Sequence, residues 1–224
     1  MNPGGTPQTL VIGHRGMPAA APDNSLAGFA AAVAAGADAI ELDVRARADG
    51  VLVCHHDDGD APHAPTLAEA LATVAGRVPL HVDLKHPGFE ADLISQLAAS
   101  LARDRFWITS LDDASVAALR RLDARVRCAL TLGREAPRPY LRTRLSELFP
   151  FRRAAACDAT ELAPHVRLVE LGLARRARRR GLPLLVWTVD DERRLRWLFG
   201  RVRPLAVVTN QVELALWVRA RAVR

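Results

Sequence analysis

Along this 224-residue chain, short apolar runs alternate with longer stretches of helical character, and no linker or low-complexity segment separates them. The runs fall at 9–14, 38–44, 51–56, 79–85, 106–110, 127–132, 159–163, 183–189 and 204–209. Runs of that length, bounded by Gly or Pro, read as strands buried on both faces of a parallel sheet. Helices are expected over 26–35 behind Ser25, 67–75 behind Thr66 and 113–122 behind Asp112, because each of those side chains offers an oxygen to the first turn. Arg167 to Arg180, Asp191 to Phe199 and Gln211 to Arg221 supply the later ones.

Alternation of strand and helix implies parallel strands joined by right-handed crossovers. Eight such units fit a minimal TIM (β/α)8 barrel, a single domain over 1–224, if 38–44 and 51–56 are successive strands joined through Asp49-Gly50. That pair breaks strict alternation. An open doubly wound sheet is the alternative, but it announces itself by a Gly-rich phosphate loop after its first strand. Here the first strand runs into His14-Arg15-Gly16, and no such loop follows anywhere.

Four of the runs end in polar tags: His14-Arg15-Gly16, Glu41-Leu42-Asp43, His55-His56-Asp57 and Asp83-Leu84-Lys85. In a barrel the C-terminal strand ends form the reactive rim. Glu41 and Asp43, two apart on a strand, share a face. With Asp83 on a neighbouring strand they make a hard oxygen site suited to Mg²⁺ or Ca²⁺. His14 and His56 titrate near neutrality, so one can take a proton while the other gives one. Arg15 and Lys85 offer fixed positive charge to phosphate oxygens. Lys85 is the one lysine among 31 basic residues, where a compact ammonium does what a planar guanidinium does less well. His55 points away from His56 as a packing residue, and His63, His81, His86 and His165 lack comparable context, although His165 lies near a strand end.

Composition narrows the partners. A net charge of +6 raises nucleic acid, anionic membranes and phosphates. The charge is spread, and no basic stretch is interleaved with aromatics, so nucleic acid is not expected. The cluster Arg175-Arg176-Ala177-Arg178-Arg179-Arg180 belongs on the solvated face of an outer helix, leaving weak contact with an anionic membrane surface as the remaining macromolecular option. Cys54, Cys128 and Cys157 lie far apart without metal or disulfide spacing. The first seven residues carry no targeting pattern, and a cytoplasmic location is expected. Oligomeric state is not legible.

Taken together, the motifs resemble those of the glycerophosphodiester phosphodiesterase family. They are His14-Arg15-Gly16, Pro22-Asp23-Asn24-Ser25-Leu26, Gly36 through Val44, Asp49-Gly50-Val51, His56-Asp57, Thr66 through Leu71, Asp83-Leu84-Lys85, Val186 through Asp190, and Val207-Val208-Thr209-Asn210. The resemblance spans nearly the whole chain. It implies a TIM barrel that hydrolyses glycerophosphodiesters to glycerol 3-phosphate and an alcohol with a divalent cation. It would place Glu41, Asp43 and Asp83 on the metal, His14 and His56 as the acid/base pair, and Arg15 and Lys85 on phosphate. Asn24 carries over from the family's Glu-Asn-Thr, which here reads Asp-Asn-Ser, and Trp187 would form a wall of the pocket.

Two departures stand out. Asp83 replaces the family's usual glutamate and is one methylene shorter. Only 26 positions separate Asp57 from Asp83, so the family's small insertion after His-Asp is largely absent and the pocket should be more open. Hydrolysis of lysophospholipids, as in lysophospholipase D-like relatives, is a second reading. A non-catalytic phosphoester-binding barrel is a third.

Overall fold

The computed structural model describes residues 8–59, 61–74, 76–133 and 145–222. The N-terminal residues 1–7 and residue 75 of the expected second helix lie outside them. Eight parallel strands surround one axis: β1 (Leu10–Gly13), β2 (Ala39–Ala46), β4 (Leu80–Leu84), β5 (Phe106–Ser110), β6 (Arg127–Leu132), β7 (Glu161–Pro164), β8 (Leu185–Val186) and β9 (Ala206–Thr209). Their order is β7-β6-β5-β4-β2-β1-β9-β8. The seam between β7 and β8 closes through parallel bridges Leu162 to Leu184 and His165 to Trp187. The result is a nearly closed TIM barrel, as the alternation predicts.

The run at 51–56 departs from that expectation. Its ordered part, β3 (Leu52–Cys54), pairs antiparallel with β2, Val44 opposite Cys54, and lies off the barrel path. The connection through Asp49-Gly50 is far too short for a crossover helix, so the chain can only fold back as a hairpin. An apolar run therefore marked a buried strand without revealing its direction.

The outer layer comprises α1 (Leu26–Ala34), α2 (Leu67–Val74), α3 (Glu90–Ser100), α4 (Asp113–Leu122), α5 (Phe151–Ala156), α6 (Val166–Glu170), α7 (Leu173–Arg178), α8 (Glu192–Trp197) and α9 (Val212–Ala222). The anticipated caps form. Ser25 Oγ accepts from Gly28 N at 3.1 Å, and Asp112 accepts from the amides of Ala114 and Ser115. Thr66 and Glu69 cap one another reciprocally. The helix expected over 167–180 is broken into α6 and α7, because Gly172 takes a left-handed conformation, φ 85°. Arg175, Arg179 and Arg180 do lie exposed on this outer side.

The barrel interior explains why the site opens at one end only. Ala39, Ala129, Ala163 and Ala206 leave room at the axis, and the indole of Trp107 is buried among them with Ile12, Leu185 and Val208. Arg127 stacks on Trp107 with 4.6 Å from Cζ to the ring centroid, and pairs with Glu161 at 2.6 Å. Above this plug the interior becomes polar. All three cysteines are buried and free, and no helix among the described residues is long and apolar enough to cross a membrane.

Gly16 ties the first rim turn to α1. Its φ is 88°, and a Cβ there would lie 2.7 Å from the backbone carbon of Gly28. Gly16→Ala should therefore destabilise the protein by more than the roughly 1–2 kcal/mol of a left-handed backbone alone. Urea denaturation checks this, and equal midpoints would contradict it.

Candidate active site

The strand register brings the rim residues together. Asp43 on β2 stands opposite Asp83 on β4, and Glu41 opposite His81. All four side chains project inward, since the intervening Leu42 and Val82 belong to the shell under the helices. One carboxylate oxygen from each of Glu41, Asp43 and Asp83 lies within 4.8 Å of the others. They line a cleft of about 640 Å³ shared with His14, Arg15, His56, Lys85, Thr131, His165 and Trp187.

Around this cluster the charges interlock. Arg15 Nε sits 3.0 Å from Asp43 Oδ2, and its Nη1 2.9 Å from Asp23. Lys85 Nζ bridges Asp83 at 2.9 Å and Asp43 at 3.1 Å. Asn24 donates from Nδ2 to Asp43 Oδ2 at 2.8 Å, while its Oδ1 accepts the Asp43 amide at 3.0 Å. Both Arg15 and Asn24 adopt left-handed backbone, φ 51° and 55°. Three bonds hold that turn: Arg15 N donates to Glu41 Oε2 at 2.7 Å, Gly16 N to Glu41 O, and Asn24 N to Arg15 O.

Protonation follows from this arrangement. Burial works against the Asp43 charge, but Lys85 and Arg15 more than offset it and hold the carboxyl below its ordinary pKa. Glu41 goes the other way: burial, then the neighbouring Asp43 and Asp83, push its pKa well above the usual range. Asp83 is raised too, chiefly by burial. Burial opposes the Lys85 ammonium, yet Asp83 and Asp43 keep it charged above its ordinary value. Three crowded carboxylates sharing fewer positive charges than they need form a donor set that fits a hard divalent cation.

The two histidines sit on different supports. His14 follows β1, its amide bonded to Thr209 O at 2.9 Å and its Nδ1 2.8 Å from Asn210 Oδ1. Burial lowers its pKa. His56 lies beyond β3, where Arg45 on β2 donates from Nε to its carbonyl at 3.0 Å and pairs with Asp58. Its Nδ1 is 2.7 Å from Asp57, whose carboxyl is held below the ordinary range by that bond. Between His56 and α2 there is only a short loop with neither strand nor helix among its described residues, in keeping with the absent insertion.

Trp187 lines the cleft as expected, its indole donating to Ala163 O at 2.7 Å and meeting His165 edge-on at 5.3 Å. Every site residue anticipated from the sequence reaches this cleft or its immediate supports. Sequence reasoning missed His81 and Thr109. Burial pushes the His81 pKa down to about 3, so the ring is neutral, with Nε2 3.1 Å from Thr109 Oγ1, which donates to Asp83 at 2.8 Å. The signal was available: His81 precedes Asp83 by two and so shares its face.

The match to known proteins agrees with this geometry. Residues 14–60 and 65–214 match the sequence pattern of the glycerophosphoryl diester phosphodiesterase family. The chain belongs to that family. A glycerophosphodiester phosphodiesterase of Caldanaerobacter subterraneus is 25% identical over 221 residues, covering 82% of this chain and 86% of its own length. One from Bacillus altitudinis is 28% identical over 176 residues, covering 60% of this chain and 72% of its own. Among solved structures, an Oleispira antarctica phosphodiesterase in complex with its product sn-glycerol 3-phosphate superposes with a TM-score of 0.78 at 22% identity, covering 95% of this chain and 96% of that one. The gap in the family match falls at the shortened loop.

Asn24→Ala would strand the Asp43 amide and remove a donor from its carboxylate. A loss of about 1–3 kcal/mol in unfolding free energy is expected by urea denaturation, and an unchanged value would mean that Asn24 does not support Asp43.

Proposed function

We propose that this phosphoric diester hydrolase cleaves glycerophosphodiesters to glycerol 3-phosphate and an alcohol, using His14 and His56 as its proton-transfer pair. The observation that carries the reading is the convergence of two histidines, three carboxylates, Arg15 and Lys85 on one cleft. Glu41, Asp43 and Asp83 would hold a divalent cation, Mg²⁺ or Ca²⁺, which when bound supplies a Lewis-acid charge against the phosphoryl oxygens. Arg15 and Lys85 orient the phosphate and neutralise charge that grows on its non-bridging oxygens. One histidine takes the proton of the attacking hydroxyl, from water or from the substrate's own glycerol. The other gives a proton to the departing alcohol. Trp187 and the neighbouring Ala163 and Val208 form the apolar wall against which the alcohol carbons rest.

Among the described residues, the large apolar side chains that stand exposed are Val51, Leu122, Leu145, Phe149, Leu171 and Trp217. None of them lines the cleft. The described lining of the cleft is mainly charged and polar side chains, which favours a small polar alcohol over an acyl chain.

Release of glycerol 3-phosphate from glycerophosphocholine tests the chemistry. His14→Ala and His56→Ala should each lower kcat by about 10²–10⁴, and EDTA should abolish turnover; activity that survives all three would sink the mechanism. Independently, Asp83→Asn should weaken Mg²⁺ or Ca²⁺ binding in titration calorimetry by more than the roughly 10–100-fold of an outer-sphere change. Unaltered affinity would remove Asp83 from the metal site.

A further inference from the structure

Asp190 and Asn210 stand behind His14, and the site as described gives them no role. Asp190 accepts three hydrogen bonds: from Thr209 Oγ1 at 3.0 Å, from the Asn210 amide N–H at 2.8 Å, and from Asn210 Nδ2 at 2.7 Å. An ionised carboxylate only accepts, so the NH2 of Asn210 must face Asp190. That leaves Asn210 Oδ1 toward His14 Nδ1 at 2.8 Å. An amide oxygen also only accepts, so the ring proton must sit on Nδ1. Each assignment forces the next.

We propose that Asp190 and Asn210 are positioning residues that lock His14 in its Nδ1–H tautomer, leaving Nε2 as the nitrogen that accepts the proton of the attacking hydroxyl. This rests on the proposed acid/base role of His14 and decides which histidine is the base. The hydroxyl oxygen forms its bond to phosphorus as its proton passes to His14 Nε2. The bond from phosphorus to the alcohol oxygen breaks as that oxygen takes a proton from His56. A neutral amide orients the ring without placing a full negative charge beside it. The charged and titratable groups facing His14 are Arg15 on the same turn, Asp23 in the following loop, Asp43 on β2 and His81 on β4. Asp190 lies behind the amide.

Asp190→Asn tests the clamp with almost no change of shape. The introduced amide oxygen keeps Thr209 and the Asn210 N–H, but the introduced NH2 faces that of Asn210, which must turn over and present NH2 to His14. The ring then accepts at Nδ1 and carries its proton on Nε2. The 15N spectrum of the imidazole, assigned by its absence in His14→Ala, should switch tautomer. In the same variant kcat should fall at least about 10²-fold with KM little changed, the pattern of a wrong tautomer in intact geometry. The double variant Asp190→Asn with Asn210→Asp should recover both, because the carboxylate introduced at position 210 accepts from the amide at position 190 on one side and from His14 on the other. It should also move the acid limb of kcat/KM to higher pH, since a carboxylate beside the ring raises the pH at which the base becomes free.

Retention of Nδ1–H in Asp190→Asn would overturn the proposal, as would failure of the double variant to restore the tautomer. A tautomer switch with kcat unchanged would uphold the clamp but overturn His14 as the base. The two-histidine mechanism itself falls only if His14→Ala and His56→Ala keep their activity. A switched tautomer with kcat lost and then regained supports both.

Discussion

Asp43 is a carboxylate kept charged almost wholly out of water, and much of the rim is arranged to make that tolerable. Burying an ion is affordable only when opposite charge and hydrogen bonds replace its hydration. Here Arg15 and Lys85 approach from two sides and Asn24 from a third. Each partner requires something further. Arg15 needs a left-handed turn and the Gly16 that follows it, Asn24 needs a second left-handed position, and Lys85 must sit just past β4. Two of the four polar tags, with the turn that carries Asn24, are thus the compensation for one buried charge.

That compensation stops short of neutrality for the cluster as a whole. Glu41 and Asp83 are both driven toward protonation by burial and by neighbouring carboxylates. A hydrolase of phosphodiesters gains from such an imbalance. On the proposed mechanism, a divalent ion held by Glu41, Asp43 and Asp83 would release part of the Arg15 and Lys85 charge to a phosphate, so ion and substrate would draw on the same charges. The inert base of the barrel, with Trp107 and the Arg127–Glu161 pair, keeps this polarisable region at one end.

The histidines are treated asymmetrically. His14 is held from below by a chain of compelled hydrogen bonds reaching Asp190, while His56 rides a short loop anchored by Arg45 and faces a carboxylate near solvent. One ring is partly buried and held through Asn210, the other more open. On the proposed mechanism, that difference suits His14 as a base that must wait deprotonated and His56 as an acid that must recover its proton from solvent.

Much of this was legible from residue order. Apolar runs of strand length, Ser25, Thr66 and Asp112 as caps, and paired carboxylates two apart follow from local periodicity and hydrogen-bonding capacity, which a linear chain carries in itself. The direction of β3 and the break at Gly172 are local too, set by the short Asp49-Gly50 connection and a left-handed glycine, but the roles of His81, Thr109, Asp190 and Asn210 are not. They depend on which residues face each other across strands far apart in sequence, such as Asp43 opposite Asp83 and His14 beside Asn210. The sequence by itself determined which side chains stand at the strand ends, because strand period and turn chemistry are local. Only the tertiary structure decided how their charges and protons are shared, because burial and partner geometry exist only once the barrel has closed.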